Sequence, residues 1–162
     1  MSEREKREFQ AGEKVAQRHA DLFYARQGYV IASRDGCREW DLQIQLRGRL
    51  WSVEEKFRVG LHFEDLLVEI LQDMRTGALG WAYETRCDLL HYFLCDRDWR
   101  PALLHQVDWP RFREWLHEYV SESRQLQWVK STRGWGTTIN IAVPFSVIPL
   151  GIVMRHELRE AA

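Results

Sequence analysis

With 162 residues, an apolar fraction of 45% and a charged fraction of 29%, the chain has the size and composition of one ordinary globular domain, residues 1–162, which excludes intrinsic disorder. The net charge of −1 gives no overall basic field of the kind that draws polyanions to a surface. No apolar run approaches the roughly 20 residues of a membrane span, and the charged start MSEREKREF has no signal-peptide core, so a cytoplasmic location without a membrane partner is expected.

Residues 3–27 carry Phe9, Val15, Ala16, Ala20, Phe23 and Tyr24 near helical spacing, with Gly28 as the natural stop. Glu13 and Gln17 lie four apart and share a face of that helix. A short strand, 28–33, and a loop, 34–39, lead into WDLQIQLRGRLWSVEEKF, Trp40 to Phe57. Alternation runs through both halves of this stretch, which predicts a tight hairpin. With Gly48 and Arg49 as turn residues, Ile44 falls opposite Val53, Gln43 opposite Glu54 and Asp41 opposite Lys56. One face then holds Trp40, Leu42, Ile44, Leu46, Trp51, Val53 and Phe57, a floor for a core. The other holds Asp41, Gln43, Gln45, Ser52, Glu54 and Lys56. Two carboxylates and an amine on rigid paired strands can hold a divalent cation and activate a water. Glu55 points into the apolar face and must either be paired or reach a solvent channel, because a lone buried carboxylate is costly.

Further along, Phe63, Leu66, Leu67, Ile70, Leu71 and Met74 fit a helical stripe, so periodicity predicts a helix within 58–82 that ends at Thr76-Gly77. Asp88 to Cys95 reads as a buried strand, Asp96-Arg97-Asp98 as a turn and Ala102 to Val107 as the strand's partner. Asp108 as N-cap and Pro110 in the first turn start a helix that runs to about Ser123. Gln127 to Thr132 and Thr137 to Val143 form a second hairpin about Arg133-Gly134-Trp135-Gly136. Beyond Pro144 and Pro149, Ile152 to His156 adds an edge strand.

Cys37, Cys87 and Cys95 lack CxxC spacing and the six histidines lack HxxxH spacing, so neither a disulfide framework nor a zinc site is indicated. His62 is the histidine nearest in sequence to the hairpin. The basic residues are mostly arginine, with lysine only at 6, 14, 56 and 130. A lysine at 56 is the more informative for that, since a compact ammonium can be tuned beside a metal-bound water.

Asp41, twelve intervening residues and then Glu54-Glu55-Lys56 resemble the D…(D/E)XK signature of the PD-(D/E)XK nuclease superfamily, with Trp40 where a proline often stands. Within it the chain is most similar to small phage and prophage proteins, through the first helix, the hairpin, Leu67-Val68-Glu69-Ile70, Leu79-Gly80-Trp81 and Cys87 to Tyr92. The likeness spans roughly residues 10 to 95. It implies an α/β fold with a restriction-endonuclease-like core, a mixed central β-sheet flanked by helices. It also implies a nuclease that uses Mg²⁺ or Mn²⁺ on DNA, with RNA not separated from it and a homodimer left open. Asp41, Glu54 and the main-chain carbonyl of Glu55 would hold the metal, and Lys56 would orient the attacking water. Glu13 or Gln17 would stand near the metal, and an extended Val68-Glu69-Ile70 would bring Glu69 to the same edge. Arg34, Arg58, Lys130 and Arg133, in loops or at strand ends, could contact phosphates, with ordinary surface charge as the alternative. Gln43 stands where relatives often carry a second aspartate. If the ligand position is that one, the alternative is an inactive member that binds nucleic acid or protein without cutting.

Overall fold

The computed structural model describes residues 3–34, 36–37, 39–122, 126–133 and 136–158. Helix α1 (Glu3–Arg26) is followed by strands β1 (Val30–Ser33), β2 (Leu42–Leu46), β3 (Arg49–Val59), β4 (Asp65–Asp73) and β5 (Ala78–Leu79). A single turn of helix, α2 (Trp81–Glu84), leads to β6 (Leu89–Cys95), β7 (Pro101–Asp108), α3 (Trp109–Glu122), β8 (Gln127–Arg133), β9 (Gly136–Pro144) and β10 (Val153–Glu157). Two sheets result, one in the order β1-β2-β3-β6-β7-β10 and one in the order β5-β4-β9-β8. The larger is mixed, because β3 and β6 run parallel while its other neighbours are antiparallel. The class is α/β.

The parallel pair is the centre of the molecule. Every residue of β6 is buried, as expected for a strand covered on both faces. On one face His91, Phe93 and Cys95 look toward α1, which seats Ala16, Ala20 and Tyr24 against Leu42, Ile44 and Val53. Gly12, Ala16 and Ala20 repeat every four residues, so α1 lies close to the sheet; a Cβ at Gly12 would collide with the Trp99 ring. On the other face Leu90, Tyr92 and Leu94 meet Leu66 and Val68 of β4, Ile141 and Val143 of β9, and Trp109, Phe112 and Leu116 of α3. A second sheet with α3 thus covers the face where helices alone were expected.

Three readings of the sequence need correction. The first is the helix within 58–82, which is instead β4. Leu66 and Val68 are fully buried while their neighbours are only partly so, and the strand pairs with β9 from Asp65↔Pro144 to Leu71↔Ile139. Leu67 and Ile70 also pack on the core, so both faces of the strand are apolar and the alternation hides within a pattern a helix would share.

The second is the hairpin register. The turn residues are Arg47 and Gly48, with φ of 50° and 80°, the two left-handed conformations of a type I′ turn. The pairing therefore runs Leu46↔Arg49, Ile44↔Trp51, Gln43↔Ser52 and Leu42↔Val53. A slip of two residues keeps every side chain on its expected face; what changes is that Asp41 comes level with Glu54 instead of Lys56. The third is Trp40, which precedes the strand and packs with the cluster under the second sheet, away from Leu42 and Ile44.

The remaining elements stand as expected. Gly28 ends α1 with φ of 76°, and the Asp108 carboxylate accepts from the Arg111 N–H at the start of α3. The end of α3 near Ser123 and the Gly134-Trp135 turn lie outside the described residues.

Candidate functional site

Strand β2 pairs with β3 only as far as Val53, so Glu54 to Val59 continue beyond it. Asp41 sits at that step. Its N–H donates to the Val53 carbonyl at 2.9 Å, and its Oδ2 accepts from the Glu55 N–H at 2.8 Å. In an extended strand the N–H and C=O of one residue point the same way, so the Glu55 carbonyl lies on the Asp41 side of β3.

The side chains of 54, 55 and 56 alternate. Glu55 turns toward α1, where it is 5% exposed and accepts from the Tyr24 hydroxyl at 2.9 Å and from Arg34 at 2.8 Å. Arg34 also pairs with Asp21. Burial raises the Glu55 pKa, with Arg34 and Tyr24 opposing. The Tyr24 hydroxyl is 2.8 Å from His91 Nδ1. Burial and then the Glu55 charge hold the phenol well above its ordinary pKa, so it is the donor to Glu55. His91, pushed down to about 3 by burial, is neutral and donates to Tyr24 through Nδ1. The partner that the inward-facing Glu55 demanded is therefore a chain, Asp21–Arg34–Glu55–Tyr24–His91. Tyr24 and His91 were not legible as parts of it: one read as apolar stripe and the other as an isolated histidine.

Glu54 and Lys56 face the other way and form an ion pair. Burial raises the Glu54 pKa, Lys56 opposes it, and Asp41 adds to it. Burial works to lower the Lys56 pKa, but Glu54 and Asp41 outweigh it and leave the ammonium above its usual value. It is charged at neutral pH, which suits it to steady an anion. The indole of Trp81 lies 5.4 Å from its Nζ, and the Glu69 carboxylate contributes to its field. Glu69, on the extended β4, accepts at 3.4 Å from the main-chain N–H of that same Trp81.

Where α1 passes the open part of β3 there is a cleft of about 480 Å³, lined by Gln10, Glu13, Lys14, Gln17, Asp41, Glu55, Lys56 and Phe57. Glu13 and Gln17 line this cleft together with Asp41. Glu54 is not part of this lining, and Gln43 lies opposite Ser52, one step further from Lys56. Ser52 is engaged through its N–H and hydroxyl with Asp88, both at 2.8 Å.

The four cations named as possible phosphate contacts or ordinary surface charge separate. Arg34 is committed to Glu55 and Asp21, and Arg58 to Asp65 at 2.6 Å with its guanidinium over the Phe63 ring. Lys130 is exposed on β8, an outer strand of the smaller sheet. The Arg133 side chain lies outside the described residues. His62 lies beside Phe63, ring centroids 4.2 Å apart and tilted by 37°.

Among the described residues no group of three or more His, Cys, Asp or Glu side chains is spaced to hold a metal. A donor set of two carboxylates and a main-chain carbonyl needs no such group, and these hard oxygens suit Mg²⁺ or Mn²⁺. No family model matches the chain, and no curated protein or solved structure is significantly similar to it. Among the described residues no helix is long and apolar enough to cross a membrane.

Proposed function

We propose that this protein is a metal-dependent nuclease of the PD-(D/E)XK kind, with a restriction-endonuclease-like core formed by α1, the β1-β2-β3 meander and the parallel β6. The observation that carries the reading is the step at Val53, where Asp41 closes on the Glu55 N–H beside the Glu54–Lys56 pair. Short (D/E)xK triplets are common. An aspartate meeting one across a strand step, with a cleft alongside, is not a property of the triplet.

Asp41 and Glu54 would hold one Mg²⁺ or Mn²⁺ through carboxylate oxygens, and Glu55 through its main-chain carbonyl. Such an ion, when bound, lowers the pKa of a water and polarises a phosphoryl oxygen. Lys56, released from Glu54, places its ammonium against the charge that develops on the phosphorus oxygens. Glu13 and Gln17 line the cleft beside Asp41, and Glu69 holds the N–H of Trp81, whose ring lies beside Lys56. The substrate class is DNA, with RNA as the variant to be tested beside it.

The closed Glu54–Lys56 pair also fits a second reading, an inactive module that keeps the fold and binds nucleic acid or protein. Cleavage of oligonucleotides in Mg²⁺ and Mn²⁺ separates the two. The nuclease cuts, and Lys56→Ala lowers the rate by at least about a hundredfold. Equal rates in wild type and Lys56→Ala would remove this site from the chemistry, and binding without cutting or Mn²⁺ uptake would favour the module.

A further inference from the structure

We infer that the cleft between α1 and β3 takes a single unpaired polynucleotide strand, with Lys14 on a phosphate and Phe57 against a base; this rests on the nuclease reading and names its substrate class. Gln10, Glu13, Lys14 and Gln17 follow the i, i+3, i+4, i+7 spacing of one helix face, and all four line the cleft opposite Asp41, Glu55, Lys56 and Phe57. Lys14 is exposed at this wall. The glutamines can donate to phosphate or base oxygens without adding charge.

Charge argues against a duplex. Double-stranded DNA carries about one negative charge per 1.7 Å of axis, and proteins hold it by releasing counterions from many phosphates at once. This cleft offers Lys14 and Lys56 against Glu13 and Asp41, with Lys56 already paired to Glu54 and the Glu55 carboxylate matched by Arg34. Arg34 and Arg58, the other nearby cations, are bound to internal carboxylates. The chain as a whole has a net charge of −1. One or two phosphate contacts are what this surface can supply.

The floor argues for an exposed base. Phe57 is half-buried and rests on Phe93, rings 5.0 Å apart and nearly parallel. A ring fixed from below and lining a cleft is a stacking platform, and stacking plus sparse cations is how single strands are gripped. A base inside a duplex has no free face to offer it. The volume, about 480 Å³, is that of a small-ligand pocket and accommodates a nucleotide.

The test is binding of a labelled oligothymidylate, alone and annealed to oligodeoxyadenylate, to the full chain in EDTA, followed by the same pair in Mn²⁺. An oligouridylate run beside them distinguishes ribose from deoxyribose, either of which satisfies the inference. The free strand is expected to bind at least about tenfold more tightly than the duplex. Lys14→Gln, at an exposed position, should weaken the free strand severalfold and reduce the slope of log affinity against log salt by about 0.7. Phe57→Leu, which keeps an apolar side chain over Phe93, should weaken it by a similar factor without changing that slope. Duplex bound as tightly as single strand, or single-strand affinity unchanged in both variants, overturns the inference. Cleavage in Mn²⁺ without strand preference would do so while leaving the nuclease reading intact. Single-strand preference without cleavage would support the cleft assignment and defeat the nuclease.

Discussion

Glu54 and Glu55 are consecutive, both buried and both raised in pKa by that burial, yet they are held in different ways. Glu55 has an arginine, a tyrosine and, behind the tyrosine, a histidine, all drawn from separate elements. Glu54 has a lysine from its own strand, two residues away. The first arrangement ties α1, the end of β1, β3 and β6 together. The second is one flexible ammonium that an incoming cation can displace without disturbing the sheet. A carboxylate meant to stay put and a carboxylate meant to exchange its partner look different in the number and origin of their donors, not in how deeply they lie.

The largest way to break this comparison is acid. The His91 pKa falls from 6.5 to about 3 in the fold, so the unfolded chain takes up its proton at a pH where the folded chain does not. The sign follows: stability is full above about 6.5 and drains as pH falls toward 3, by up to about 5 kcal/mol from this group. His105, lowered to about 4 by burial, adds to the same limb. Glu54 and Glu55 act in the opposite sense, since raised carboxylates cost stability as pH rises out of their range, and they soften the loss. Urea unfolding between pH 7 and 4 should show a steep limb, and His91→Leu should flatten it. An unchanged limb in that variant would mean that His91 is not neutral in the fold.

Next in size is Arg34→Met. It strands the Glu55 carboxylate in an apolar layer and should cost about 3–4 kcal/mol, measured by the same unfolding curves. Lys56→Met also leaves a buried carboxylate, Glu54, without its ammonium, but because Lys56 keeps part of its side chain in solvent water can replace it there, and the cost should be smaller, about 2 kcal/mol. Similar losses in the two variants would erase the distinction.

Much of this was readable from residue order, and the parts that were not share a cause. The ends of α1, the start of α3 and the extents of β6 and β7 follow from caps, glycine and apolar runs, which are local signals. The hairpin faces were legible and its register was not, because Arg47 rather than Arg49 takes the left-handed turn position beside Gly48; arginine carries no strong preference that would mark it. Strand β4 was read as a helix because its partner, β9, lies some seventy residues later in the chain, and no local pattern reports a pairing that distant. At the site, Asp41, Glu54 and Lys56 declared themselves through residue type and spacing. Arg34 declared only its charge, and the carboxylates that claim it became visible with the fold.

Mn²⁺ sharpens the comparison from the other side. A ligand that binds only the folded chain stabilises it by about 2.7 kcal/mol at a hundred times its dissociation constant, so thermal unfolding of the wild type should shift upward with added Mn²⁺. Asp41→Asn should abolish the shift while Arg34→Lys should preserve it. A shift that survives Asp41→Asn would place the metal elsewhere.

Loss of a single hydroxyl gives the most discriminating effect. Tyr24 has one hydroxyl proton, and it goes to Glu55; His91 must therefore supply its own from Nδ1. Tyr24→Phe removes both bonds while keeping the ring stacked on His91, whose centroid is 5.5 Å away. One hydrogen bond to a charged group and one neutral bond are lost, an expected cost of about 2 kcal/mol. The nitrogen chemical shifts of His91 should move as Nδ1 loses its acceptor. Because Glu55 meets the site only through its main chain, Mn²⁺ affinity should stay within about twofold, a change of roughly 0.4 kcal/mol. If affinity falls in step with stability, the Glu55 side chain is steering its own carbonyl, and the two carboxylates form one coupled unit in place of a fixed support beside an exchangeable ligand.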